Sequence, residues 1–171
     1  MKVLIALLAI VVVIQTSHAS PPNRAKRSDQ FVQRFEKMGS LAKNLIPRTE
    51  VVILNTIQKI PKTNSYNKYR QDLQSYVNYL NQYKTKRGKC YEKSFDLIGK
   101  YAETMERYDK PNATEEARRV RSLLKECGSE TLTRDLDEWI DAYEKSNFDV
   151  ESQKLTSEDT RKIMTLLQEV C

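Results

Sequence analysis

The chain has 171 residues, 39% hydrophobic and 30% charged, the composition of one compact folded domain rather than of two domains or a disordered tail. Four glycines and five prolines exclude collagen, Gly-rich linkers and a glycine-built phosphate loop, and they favour long helices. Much of the formal charge of +6 sits in the first 27 residues; residues 28–171 hold 25 basic and 23 acidic side chains, or +2, which excludes a nucleic-acid footprint.

Residues 1–19 place Lys2 before an apolar run from Val3 to Ile14 and end in Ser17-His18-Ala19, with small residues at both positions that a signal peptidase reads. Processing after Ala19 is expected. The run is shorter than the roughly 20 residues a membrane helix needs, and no later stretch is apolar enough to anchor the chain, so the expectation is a secreted, extracellular protein without a transmembrane segment. Residues 20–27 read as a disordered basic pro-segment or tail: Pro21 and Pro22 oppose a helix, and Arg24-Ala25-Lys26-Arg27 is a basic pattern that acid-lined convertase pockets accept. A second cut after Arg27 would leave 28–171 as a single helical domain.

From a cap at Ser28, the residues Phe31, Phe35, Met38, Leu41 and Leu45 recur at helical steps, and Pro47 is expected to end that helix. A buried helix then carries Ile53, Ile57 and Ile60 and stops at Pro61. After the polar turn at 62–65, Tyr69, Leu73, Tyr76, Leu80 and Tyr83 alternate by four and three, a seam that packs along its length. Beyond the basic connector 84–89 a helix carries Phe95, Ile98, Ala102 and Met105 and ends near Tyr108, before Lys110-Pro111. Thr114 caps the next, with Glu115 and Glu116 in its first turn and Gly128 as its left-handed stop. A sixth helix holds Leu132, Leu136, Trp139, Ile140 and Tyr143; the last starts at Thr156 or Ser157 and buries Ile163, Leu166, Leu167 and Val170. The fold expected is all-α, an antiparallel bundle of six or seven helices joined by short loops.

Cys90, Cys127 and Cys171 are an odd set in a secreted protein, so at most one internal disulfide forms. Cys90 begins a helix and Cys127 ends the next, ends that meet in an antiparallel hairpin, which makes Cys90–Cys127 the expected bond. Pairings with Cys171 stay open. Cys171 is otherwise a free or intermolecular thiol, giving a monomer or a Cys171-linked dimer.

The single histidine, His18, lies in the leader, so Ser-His-Asp and Cys-His nucleophiles cannot be assembled in the remainder. Three separated cysteines make a poor zinc cage, and neither a calcium loop nor a nucleotide phosphate loop is present. No metal, cofactor or catalytic residue is expected. Asp135, Asp137, Glu138, Asp141 and Glu144 crowd one helix, and although two carboxylates suffice for some hydrolases, such a face reads as solvated surface.

Binding candidates are clearer. Lys84, Lys86, Arg87 and Lys89 concentrate cations on one connection, a surface that suits a sulfated glycan or an acidic protein. Tyr69, Tyr76 and Tyr83 lie on the apolar stripe and read as core, whereas Tyr66 and Tyr79 lie off it and are candidates for exposed contact. Asn112-Ala113-Thr114 is an N-glycosylation acceptor in a loop. Residues 28–89 carry 12 basic and 4 acidic side chains while 90–171 carry 13 and 19, so the two parts attract each other or partners of opposite sign. The leading expectation is a secreted non-enzymatic binding protein acting on an extracellular protein or glycan. The alternatives are a carrier of a small apolar ligand lined by Phe31, Phe35, Met38, Met105 and Trp139, and a helical hormone or cytokine activated after Arg27.

Overall fold

A computed structural model describes residues 25–84, 90–145 and 155–168, without the side chains of 25–31, 84, 139–140, 142–145 and 167–168. The described residues form six α-helices and no strand: α1 (Ala25–Lys59), α2 (Asn67–Lys84), α3 (Tyr91–Tyr108), α4 (Glu115–Glu126), α5 (Ser129–Lys145) and α6 (Ser157–Gln168), with a short 3₁₀ turn at Asn64–Tyr66. The helix α1 is 35 residues long and packs against each of the other five. It is the axis of the domain rather than one strut of an up-and-down bundle.

Pro47 does not end the first helix, and the two helices expected on either side of it are one. A proline inside a helix lacks one amide donor and crowds the preceding turn, at a cost of about 3 kcal/mol. Here Pro47 lies on the exposed side of the helix, with Lys43, Asn44 and Arg48 exposed around it. On the inner face Leu45, Ile46, Val52 and Ile53 are buried, each contributing about 1.5–3 kcal/mol, and those gains hold the chain helical through the proline. Phe35, Met38 and Leu45 are buried as their spacing indicates, whereas Leu41 is exposed and Ala42 is buried in its place. The start differs too, since α1 begins at Ala25 and takes Lys26 and Arg27 into its first turn, ahead of the expected cap at Ser28.

A close helix–helix approach joins α1 to α3. A Cβ on Gly39 would lie 2.4 Å from the Tyr91 ring, so only glycine admits that ring. Phe35 meets Tyr91 edge-on at 6.5 Å and Phe95 at 5.8 Å, and Ser40 hydrogen-bonds the Tyr91 hydroxyl at 3.1 Å. Tyr91 opens α3 directly after Cys90, which is buried and holds a left-handed φ of 52°.

Cys90 and Cys127 are not joined, and the same helix explains why. Cys90 stands beside the contact of Tyr91 with Gly39, whereas Gly128, next to Cys127, packs near Val52. Between those two points α1 climbs about 20 Å, far beyond the roughly 7 Å between Cα atoms that a disulfide spans. The hairpin expectation failed because α4 has 12 residues against 18 in α3 and stops well short of the start of α3. Cys171 lies outside the described residues.

The remaining helix ends follow their sequence signals. Thr114 Oγ1 accepts the Ala117 amide at 3.2 Å to cap α4, and Gly128 takes a φ of +100° after it. At α6, Asp159 accepts from the Thr156 amide at 3.0 Å while Thr156 Oγ1 accepts from the Asp159 amide at 3.1 Å, a reciprocal box. Leu132, Leu136, Leu155 and Ile163 are buried, and they close the core from the C-terminal side.

Candidate functional site

The residues expected to carry binding divide between two places. Tyr79 is on α2 and faces α3, where Lys93, Asp96 and Lys100 fall in one column at helical spacing. The Tyr79 hydroxyl donates to the Asp96 carboxylate and accepts from Lys93 at 3.2 Å. Lys100 Nζ lies 4.7 Å and Lys93 Nζ 5.5 Å from the centre of the Tyr79 ring, both within cation–π range. Asp96 is 3.8 Å from Lys93 and 3.7 Å from Lys100.

Tyr79 is therefore half-buried and fixed, not the freely exposed ring expected. What it presents is a pair of ammonium groups with the Asp96 carboxylate between them and Glu92 beside Lys93. The hydrogen bond to Tyr79 keeps the Lys93 ammonium above its ordinary pKa, with the Asp96 and Glu92 carboxylates adding to it, so Lys93 stays cationic across the neutral range. Lys84 is the last residue of α2; Lys86, Arg87 and Lys89 lie outside the described residues. In sequence they lead into the helix that carries Lys93 and Lys100.

Tyr66 is elsewhere. It sits in the 3₁₀ turn at the opposite end of α2, half-buried, with its ring 6.3 Å from that of Tyr69, so the structure does not bring it to the cationic junction. The stripe tyrosines follow expectation in part: Tyr69 and Tyr76 are buried, Tyr83 is half-buried and hydrogen-bonds Ser94 at 3.0 Å.

A groove of about 370 Å³ between α3, α4 and α5 was not read from the sequence. Met105, Tyr108 and Leu124 form its apolar floor, and its rims carry Asp109, Arg121, Lys125, Glu130, Arg134 and Asp137. Arg121 pairs with Asp109 and Lys125 pairs with Glu130 at 2.5 Å. That ammonium holds the Glu130 carboxyl below its ordinary value. No signal in the sequence marked the groove, since Met105 and Tyr108 read there as core; Tyr108 is buried and Met105 half-buried. Of the residues expected to line a carrier cavity, Met105 is on this floor, Phe35 and Met38 are packed in the core, and the side chains of Phe31 and Trp139 lie outside the described set.

The acidic face of α5 is tied to the rest of the fold through Asp135, 2.6 Å from Arg48. Among the described residues no three His, Cys, Asp or Glu side chains converge on a metal-sized site, and no helix is long and apolar enough to cross a membrane. Asn112 is exposed in the turn between α3 and α4; Arg27 lies in the first turn of α1, and Ala19 lies outside the described residues. Comparison with protein-family models, with curated proteins and with solved structures found no match for the chain.

Proposed function

We propose that this chain is a secreted binding protein that works without catalysis, and that its ligand is an anionic extracellular surface, with a sulfated glycan as the best fit. The observation that carries the reading is the column of Lys93 and Lys100 over Tyr79, two cations that share the Asp96 carboxylate. Flexible lysines lose side-chain entropy when they grip a ligand, and cations already seated on a ring lose less. The four cations at 84, 86, 87 and 89 extend the same run along the chain. A leader at 1–19 and a histidine-free remainder fit an extracellular binder better than an enzyme.

The test is retention on an immobilised sulfated polysaccharide, eluted with salt. Releasing counterions makes such binding fall with ionic strength, with a slope set by the number of cations engaged. Lys93→Gln with Lys100→Gln should elute earlier and with a shallower slope, as should Lys86→Gln with Arg87→Gln. Equal elution of both double variants and the parent would remove the cationic junction from the function. A second reading, carriage of a small amphipathic ligand, is favoured by the apolar floor of the α3–α4–α5 groove. Its signature is a stoichiometric adduct in gentle-ionisation mass spectrometry that is lost in a variant of the half-buried floor residue, Met105→Lys.

A further inference from the structure

Asn112-Ala113-Thr114 satisfies the acceptor pattern for an N-linked glycan, and the structure adds a constraint that the pattern alone does not carry. Asn112 is exposed in the turn, where an oligosaccharide has room. Thr114, whose hydroxyl the acceptor pattern requires, is engaged twice: it accepts the Ala117 amide at 3.2 Å as the cap of α4, and it hydrogen-bonds the Tyr69 hydroxyl at 2.7 Å. Tyr69 is buried and comes from α2, 45 residues earlier, so this bond forms only when α2 and the start of α4 have come together. Capping and acceptance of a glycan thus compete for one hydroxyl group: Thr114 is exposed, and what withholds its hydroxyl from a transferase is this pair of hydrogen bonds, which an open chain has not made.

We infer that Asn112 is N-glycosylated while the chain is still unfolded, and that capping of α4 by Thr114 then closes the site. The co-reactant is a lipid-linked oligosaccharide pyrophosphate. The bond between the sugar C1 and the pyrophosphate oxygen breaks, C1 bonds to Asn112 Nδ2, one amide proton leaves, and the lipid pyrophosphate departs with the electron pair. Asn112 follows Asp109 of the groove rim by three residues, and a glycan there keeps large partners from that end of the molecule. The inference rests on the secretory part of the reading above.

The experiment expresses the full chain with its leader in a eukaryotic secretory cell and reads intact mass before and after enzymatic removal of N-glycans, with melting temperature alongside. The parent should lack residues 1–19 and carry a removable glycan. Asn112→Gln should lose the glycan and keep the α4 cap and its contact with Tyr69. Thr114→Ser should keep both glycan and cap. Thr114→Ala should lose both and melt about 2–4 °C lower, the shift a lost cap produces in a domain of this size. Closure is tested separately: the parent folded without glycan and then offered the transferase and donor should stay unmodified, whereas Leu124→Asp, which keeps α4 from docking, should be modified. Equal modification of the two would overturn closure. A secreted chain lacking its leader and lacking the glycan would overturn the modification while secretion stands; a retained leader would overturn the secretory reading and this inference with it.

Discussion

Pro47 and Pro61 follow the same residue type, isoleucine, in the same stretch of chain, and the structure treats them in opposite ways. At Pro61 the helix has already ended, and the next residues form an exposed turn held by Arg70, whose guanidinium donates to the Pro61 carbonyl, to the Thr63 carbonyl at 3.3 Å and to Asn67. At Pro47 the helix continues, and the next turn is a buried polar layer. Thr49, fully buried, donates to the Ile46 carbonyl at 2.7 Å and hydrogen-bonds the Tyr76 hydroxyl at 2.6 Å. Tyr101 crosses the Tyr76 ring at 6.0 Å, its own hydroxyl buried without a hydrogen-bond partner. The helix-breaking tendency is equal at the two prolines; what differs is whether the following residues find tertiary partners inside the domain or only in the turn itself.

Alkaline pH should break the buried region outright. Burial pushes the Tyr76 and Tyr101 phenols up in pKa. For Tyr76 the bond to Thr49 works against the shift and Glu50 adds to it; for Tyr101 the proximity of Tyr76 adds to it. Tyr108 is raised likewise, first by burial and then by its hydrogen bond to Asp72. Each folded-state pKa lies above the unfolded value of about 10. The folded state therefore favours the neutral phenol, and the stability this brings is intact below pH of about 10 and is lost as pH rises toward the folded values. Tyrosinate absorbance and helical circular dichroism should change together in one cooperative alkaline transition. Smooth ionisation of all nine tyrosines with the helices intact would contradict the burial assigned to these three.

Replacing the prolines should sharpen the contrast by giving opposite signs. Pro47→Ala restores an amide donor inside α1 and relieves the crowded turn, about 3 kcal/mol, less about 1 kcal/mol for the added freedom of the unfolded chain. A net gain near 2 kcal/mol is expected in chemical denaturation. Pro61→Ala has no helical hydrogen bond to restore and keeps only the entropic loss, about 0.4–1 kcal/mol. Destabilisation by both would mean that the bend at Pro47 is itself required for packing.

Within the buried layer, two tyrosine-to-phenylalanine changes separate satisfied from unsatisfied hydroxyls. Tyr76→Phe leaves Thr49 with one partner fewer in a buried position and should lower stability by about 1–2 kcal/mol. Tyr101→Phe removes a hydroxyl that has no partner and keeps the ring, so it should raise stability by about 1 kcal/mol. A loss of stability in both would show that the Tyr101 hydroxyl has a partner in solution.

Most of this architecture is legible in the sequence wherever a helix boundary rests on its own neighbours. Thr114, Gly128 and Thr156 behave as local chemistry requires, and the seam of Tyr69, Leu73, Tyr76 and Leu80 is buried as its spacing indicates. What escaped the sequence depended on distant partners. The continuity of α1 through Pro47 draws on the burial of its inner face and on the contact of Thr49 with Tyr76, and the separation of Cys90 from Cys127 needs two points on α1 that only the packing defines. The candidate site divides the same way: the cations at 84–89 announce themselves by composition, while the seating of Lys93 and Lys100 over Tyr79 requires knowing that α2 and α3 lie side by side.

The smallest expected effect concerns charge. The basic first part and acidic second part meet in the pairs Arg48–Asp135 at 2.6 Å and Lys59–Glu126 at 3.9 Å. Arg48 follows Pro47, so its pair ties the proline turn to α5, whereas Lys59 ends the helix just before Pro61. Both pairs reach solvent, and Asp135 is the least exposed of the four side chains at 28%. Exposed pairs contribute about 0.2–1 kcal/mol and weaken with salt. A double-mutant cycle of Arg48→Ala with Asp135→Ala should give a coupling in the upper half of that range, because the shorter contact on a less exposed carboxylate is screened less. The Lys59→Ala and Glu126→Ala cycle should fall near zero. Equal couplings would mean that the attraction between the two parts acts through the whole field and not through the turn at Pro47.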